Sequence, residues 1–177
     1  MRRSIRLRGF DYTGPATYLV TIVAQSRAPL FGVVLNRRMV LSPAGRVVRS
    51  EWLRSAELRE EVLLDVFVVM PDHFHGIVTF HPASTHSQPH LDRTLHRPRR
   101  SLGSLIAQFK ASSTRKILEQ SAGRGLPPFG VHSGRIWQRS FYESVLRSPD
   151  AIERARWYVG ANPRRWRGPA PLNAKMG

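Results

Sequence analysis

The 177-residue chain has no cysteine. Disulfides, thiol nucleophiles, iron–sulfur clusters and cysteine-ligated zinc are therefore excluded. Acidic residues are scarce: 12 Asp and Glu stand against 28 Lys and Arg, a formal net charge of +16 at pH 7. Lysine is rare too, at Lys110, Lys116 and Lys175, so nearly all the positive charge is arginine. No apolar run approaches the ~18 residues that cross a bilayer. The basic opening MRRSIRLRGF is followed by neither a long apolar segment nor a small-residue cleavage site, which argues against a secretory signal. A soluble, cytoplasmic protein is expected.

What is present is enough to fold. Hydrophobic residues make up 41% of the chain, sufficient for a packed core, and the length suits one domain with an arm or tail. An excess of cation of this size seeks a polyanion, with nucleic acid first. The basic residues are spread along the chain rather than gathered on one amphipathic helix, so a membrane-surface role fits less well.

The first 16 residues are arginine-studded and end at Gly14-Pro15. Residues 17–25, TYLVTIVAQ, are rich in β-branched side chains and predict a strand. Residues 30–42 hold two apolar runs around Asn36-Arg37-Arg38, a hairpin pattern. Ser42-Pro43 opens a helix over 43–58, with Val47, Val48, Trp52, Leu53 and Ala56 at helical spacing. Strands follow at 62–70 and 73–80, joined through Pro71-Asp72. The Pro-, His- and Arg-rich stretch 81–100 predicts an exposed loop. Ser101 caps a helix with the stripe Leu102, Leu105, Ile106, Phe109, Ile117 and Leu118, and 123–130 is a turn-rich linker. A strand is expected over 136–146, then a helix from Ser148-Pro149-Asp150 to about Asn162, where Pro163 disfavours continuation. This order predicts an α+β sandwich: an antiparallel sheet with its helices packed on one face.

Chemistry concentrates in two places. In a strand, residues i and i+2 share a face ~6.5 Å apart at the backbone, so His73 and His75 can converge on one metal ion while Phe74 enters the opposite layer. On the last helix, Tyr158 and Asn162 are four apart and lie on one side. Two imidazoles and an amide oxygen suit a hard divalent cation with positions left open for a phosphate. A phenol is a poor nucleophile at neutral pH, but becomes competent against a phosphodiester whose charge a metal screens. Attack gives a phosphotyrosine-linked strand and a free 3′-hydroxyl, and the ester retains the energy needed for rejoining.

VFVVMPDHFHGIVTF resembles the histidine–hydrophobic–histidine motif of HUH single-strand nucleases. SLGSLIAQFKASSTRKI and IWQRSFYESVLRSPDAIERARWYVGANP are similar to the downstream blocks of the REP-associated tyrosine transposases, a branch of the single-tyrosine HUH transposases. The likeness covers most of 17–165 and keeps the block order. It implies a ferredoxin-like antiparallel sheet (the HUH nuclease fold) in a single domain, 1–165, followed by a basic tail, 166–177. It further implies that His73, His75 and Asn162 hold Mg2+ or Mn2+ and that Tyr158 is the nucleophile. Asn162 is shorter than the Gln or Glu of related transposases, so Asp72 and Glu143 stand as substitutes. Ser144 occupies a position where members often carry histidine. Tyr142 is the rival nucleophile, ranked second because its strand position beside Phe141 suits packing.

The resemblance implies single-stranded DNA with a hairpin, a palindromic repeat, as partner. The protein would be nucleoid-associated, a monomer or a homodimer, with Tyr158 acting in cis or in trans. Candidate DNA contacts are Arg2 and Arg3 in the N-terminal arm, Lys110, Arg115 and Lys116 on one helix, and Arg164, Arg165 and the base-stacking Trp166 at the end. The competing reading is a non-catalytic nucleic-acid-binding module, in which the histidines merely fill a polar strand.

Overall fold

The computed structural model describes residues 15–81, 101–123 and 135–168. Expectations for the N-terminal arm with Arg2 and Arg3, for the loop beyond His81, for most of the 123–130 linker and for the tail beyond Gly168 lie outside the described residues.

Among the described residues, strands and α-helices follow in the order β1 (Ala16–Val23), β2 (Gly32–Leu35), β3 (Arg38–Leu41), α1 (Pro43–Glu57), β4 (Val62–Val69), β5 (His73–Phe80), α2 (Leu102–Ala122), β6 (Tyr142–Leu146) and α3 (Pro149–Arg165), with a short 3-10 turn at Gln25–Arg27 after β1. Each of these α-helices begins where a hydroxyl can satisfy a backbone donor. Ser42 accepts from Gly45 N, Ser148 accepts from Ala151 N, and Ser101 forms a reciprocal capping box with Ser104. The β2–β3 hairpin turns on Asn36 and Arg37, both at positive φ (48° and 62°), the conformation that a two-residue hairpin requires.

The main sheet has the order β4-β5-β1-β6 with every neighbouring pair antiparallel. Omitting the small hairpin, β1-α1-β4-β5-α2-β6 is a split β-α-β arrangement, the expected ferredoxin-like sheet. Alternation sorts the side chains. Tyr18, Val20 and Ile22 of β1 and Phe74, Val78 and Phe80 of β5 join Trp52 of α1 and Phe109 of α2 in the main core. Trp52 lies 4.7 Å from Phe74 and 5.3 Å from Phe109 between ring centroids. Gly76 makes this possible, because a Cβ there would sit 2.8–2.9 Å from atoms of the Phe74 and Trp52 rings.

Three expectations need correction. The helices do not share one face. Ile77 of β5 packs with Ala155 and Val159, so α3 covers the opposite side of the sheet, the side of His73 and His75. The α3 helix also runs through Pro163 to Arg165. Proline there removes one donor in the last turn only, and the Asn162 amide Nδ2 donates to the Tyr158 carbonyl at 2.9 Å. Finally, the strand expected over 136–146 pairs continuously only from Tyr142. Trp137 makes an isolated bridge with Ala24, after which the Gln138 and Ser140 carbonyls each accept from Lys110 Nζ at 2.9 Å rather than from a neighbouring strand.

Among the described residues no helix is long and apolar enough to cross a membrane.

Candidate active site

The two histidines lie on an inner strand, on the face that α3 covers. Their ring centroids are 4.7 Å apart with the planes nearly perpendicular, at 78°. Each ring is held by its Nδ1. For His73 the partner is the Asp72 carboxylate at 2.5 Å; Asp72 is almost wholly buried and is met from outside by the Arg27 guanidinium at 3.5 Å. A carboxylate only accepts, so His73 donates from Nδ1 to Asp72, which leaves Nε2 outside this contact. For His75 the partner is the Thr21 hydroxyl at 2.7 Å, contributed by the paired position on β1. Carboxylate or hydroxyl partners on the far nitrogen are how imidazoles are oriented as metal ligands.

His75 is 5% exposed, and its pKa is lowered to about 3. Burial is the main cause; the neighbouring His73 adds to it and Asp72 opposes it. His75 is thus neutral at physiological pH, the form that binds a metal. The fit to a divalent ion is good in the donors present and incomplete in number. Among the described residues no cluster of three His, Cys, Asp or Glu side chains forms a ready cage.

Tyr158 completes the centre. Its hydroxyl is 3.4 Å from His75 Nε2 and its ring 5.2 Å from the imidazole. The phenol is 38% exposed, reachable from solvent while anchored over the histidines. Val159 and Ala155 seat the helix on the sheet, which turns the neighbouring Tyr158 along the seam. Asn162, one turn later, donates its Nδ2 to the Tyr158 carbonyl, and no contact joins it to either histidine among the described residues.

The alternatives separate by face. Glu143 pairs with Val20, whose side chain enters the main core, so Glu143 points to the layer opposite the histidines and cannot substitute as a ligand. Asp72 is already bound to His73 Nδ1 and acts from behind it. Tyr142 pairs with Thr21 and shares its face, but stands two strands from His75, about 10 Å by strand spacing. It is 50% exposed, so the expected packing role is also corrected.

The cations expected to meet DNA divide likewise. Lys110 donates to main-chain carbonyls of 138–140, and burial pushes it down to about 8, so it stays protonated at neutral pH in a structural role. Lys116 is paired with the buried Glu51. Arg115 is exposed and pairs with Glu119 one turn on. Arg164 is exposed on the last turn of α3, and Arg165 lies 4.7 Å over the Trp157 ring. Trp166 sits against the site, its centroid 5.9 Å from that of His73. Sequence reasoning missed Thr21 and Arg27. The period of two could have exposed Thr21; nothing local marks Arg27, which reaches Asp72 from a turn with φ of 51°.

No protein-family model matches the chain. It is similar to an uncharacterized protein of Haemophilus influenzae, 29% identical over 171 residues, covering 93% of this chain and 89% of the other. Its fold is similar to that of the REP-associated tyrosine transposase solved bound to a REP hairpin, with a TM-score of 0.59 at 18% identity over 93% of this chain and 74% of that one. That likeness shows the fold.

Proposed function

We propose that the chain is a transposase-like, metal-dependent endonuclease and strand transferase that acts on single-stranded DNA beside a hairpin repeat. The observation that carries this reading is the Tyr158 hydroxyl, 3.4 Å from Nε2 of a neutral histidine whose partner His73 lies on the same face of the sheet. The hairpin bound to the fold relative supports the choice of substrate.

In this reading the Tyr158 oxygen attacks the scissile phosphorus, the bond to the 3′ oxygen breaks, the phenolic proton passes to solvent, and the departing 3′ oxygen takes a proton from solvent. The products are a 5′-phosphotyrosine and a strand ending in a 3′-hydroxyl; attack by such a hydroxyl on the ester restores a phosphodiester and the free phenol. One bond forms for each broken, so no external energy source enters. Mg2+ or Mn2+, held by His73 and His75 with Asn162 Oδ1 as third donor, would polarise the phosphodiester and screen its charge. Asp72 and Thr21 hold the two imidazoles with Nε2 presented, and α3 holds the phenol near them.

The test is a labelled hairpin-bearing single strand incubated with the protein in Mg2+, Mn2+ or chelator and run on a denaturing gel. The proposal expects a covalent adduct that chelator, Tyr158→Phe and His73→Ala each abolish while the fold is retained. Tight binding without adduct, across hairpins with varied flanks, identifies a non-catalytic binding module instead.

A further inference from the structure

Trp157 takes no part in the site described. It is 63% exposed, the most exposed of the large apolar side chains among the described residues. Tryptophan is enriched at interfaces, where its large apolar ring can be covered by a partner. Here Arg165 lies 4.7 Å over the ring and fixes the indole's position. The residues one turn on are small: a Cβ on Gly160 would meet nothing within 4 Å, and Ala161 follows it. Arg154 precedes Trp157 by three residues and Arg164 follows by seven, both exposed and on the same side of α3. The face thus reads cation, aromatic, open floor, cation along about 15 Å of helix. Arg156, by contrast, is occupied by Asp65 and Glu153.

We propose that this face of α3 is a nucleobase platform: an unpaired base of a single strand stacks on Trp157 above Gly160, with flanking phosphates on Arg154 and Arg164. The occupant follows from charge complementarity, since the aromatic is framed by arginines in a chain of net charge +16. The inference rests on the proposed function in one respect. The strand that carries the stacked base is taken to be the one that reaches Tyr158, the next residue of the helix.

Binding separates this from the chemistry. In a Tyr158→Phe background, which cannot cleave, anisotropy measures affinity for a DNA hairpin with a single-stranded flank and for the same hairpin blunt. Trp157→Ala is expected to weaken the flanked hairpin roughly tenfold or more and leave the blunt one unchanged. Trp157→Phe should keep most of the affinity. Gly160→Leu, whose Cβ would meet nothing within 4 Å, should act like Trp157→Ala with no fall in thermal midpoint. Equal affinity of Trp157→Ala and its parent for the flanked hairpin overturns the platform, as does an equal loss on both hairpins. It is also overturned if sedimentation shows a dimer that Trp157→Ala dissociates, because a second copy then covers the face. Flank-dependent binding through Trp157 in a protein that forms no adduct would leave the platform standing and remove the nuclease.

Discussion

At the scale of single residues, the centre depends on which nitrogen of each imidazole is left open. Asp72 holds Nδ1 of His73 and Thr21 holds Nδ1 of His75, so both rings are fixed from behind. Asp72→Asn keeps the shape and removes the charge. The metal concentration for half-maximal adduct formation is expected to rise roughly tenfold or more, with the fold intact; an unchanged metal titration would show that Asp72 does not orient His73. His75 makes a second prediction. Its pKa is about 3 in the folded chain against an ordinary 6.5, so between those values the unfolded chain binds a proton that the folded chain does not. Its contribution to stability is fully present above about pH 6.5 and is lost as pH falls toward 3. At pH 5 this one group should cost about 2 kcal/mol relative to pH 7. Urea unfolding of His75→Gln at the two pH values should show a correspondingly smaller difference; an equal loss in both proteins would place the acid sensitivity elsewhere.

At the scale of elements, β5 serves two layers at once. Its odd positions carry the histidines and its even positions the Phe74, Gly76 and Val78 side of the core. Gly76→Ala would push a methyl group into the Phe74 and Trp52 rings, and is expected to cost roughly 1–3 kcal/mol in urea unfolding; a neutral substitution would mean that the two rings move aside freely. The alternation of His73, Phe74 and His75 was legible in the sequence because period two is a local property. The capped starts of all three helices were legible for the same reason. The side of the sheet that α3 covers was not, since it depends on the route of the chain after β6 and on Ile77 meeting Ala155 and Val159. Lys110 misled similarly. A lysine on a basic helix reads as a phosphate contact until the 138–140 carbonyls fold onto it. Pro163 misled because a proline stop rule takes no account of how few residues of helix remain beyond it.

At the scale of the molecule, α3 lies over β5 of the same chain, which brings the Tyr158 hydroxyl to 3.4 Å from His75 Nε2. In the proposed function the arginine excess would supply non-specific attraction to DNA. Affinity for a single-stranded oligonucleotide is expected to fall roughly a hundredfold or more between 50 and 200 mM salt. A flat response would mean that the net charge of +16 is not what holds the strand.

The most direct measurement is the location of the covalent bond. After reaction with a hairpin-bearing single strand in Mn2+, digestion by protease and nuclease followed by mass spectrometry reports which side chain carries the nucleotide. The account predicts a 5′-phosphoryl nucleotide on Tyr158 and none on Tyr142. A nucleotide on Tyr142, or on any residue other than Tyr158, would contradict it.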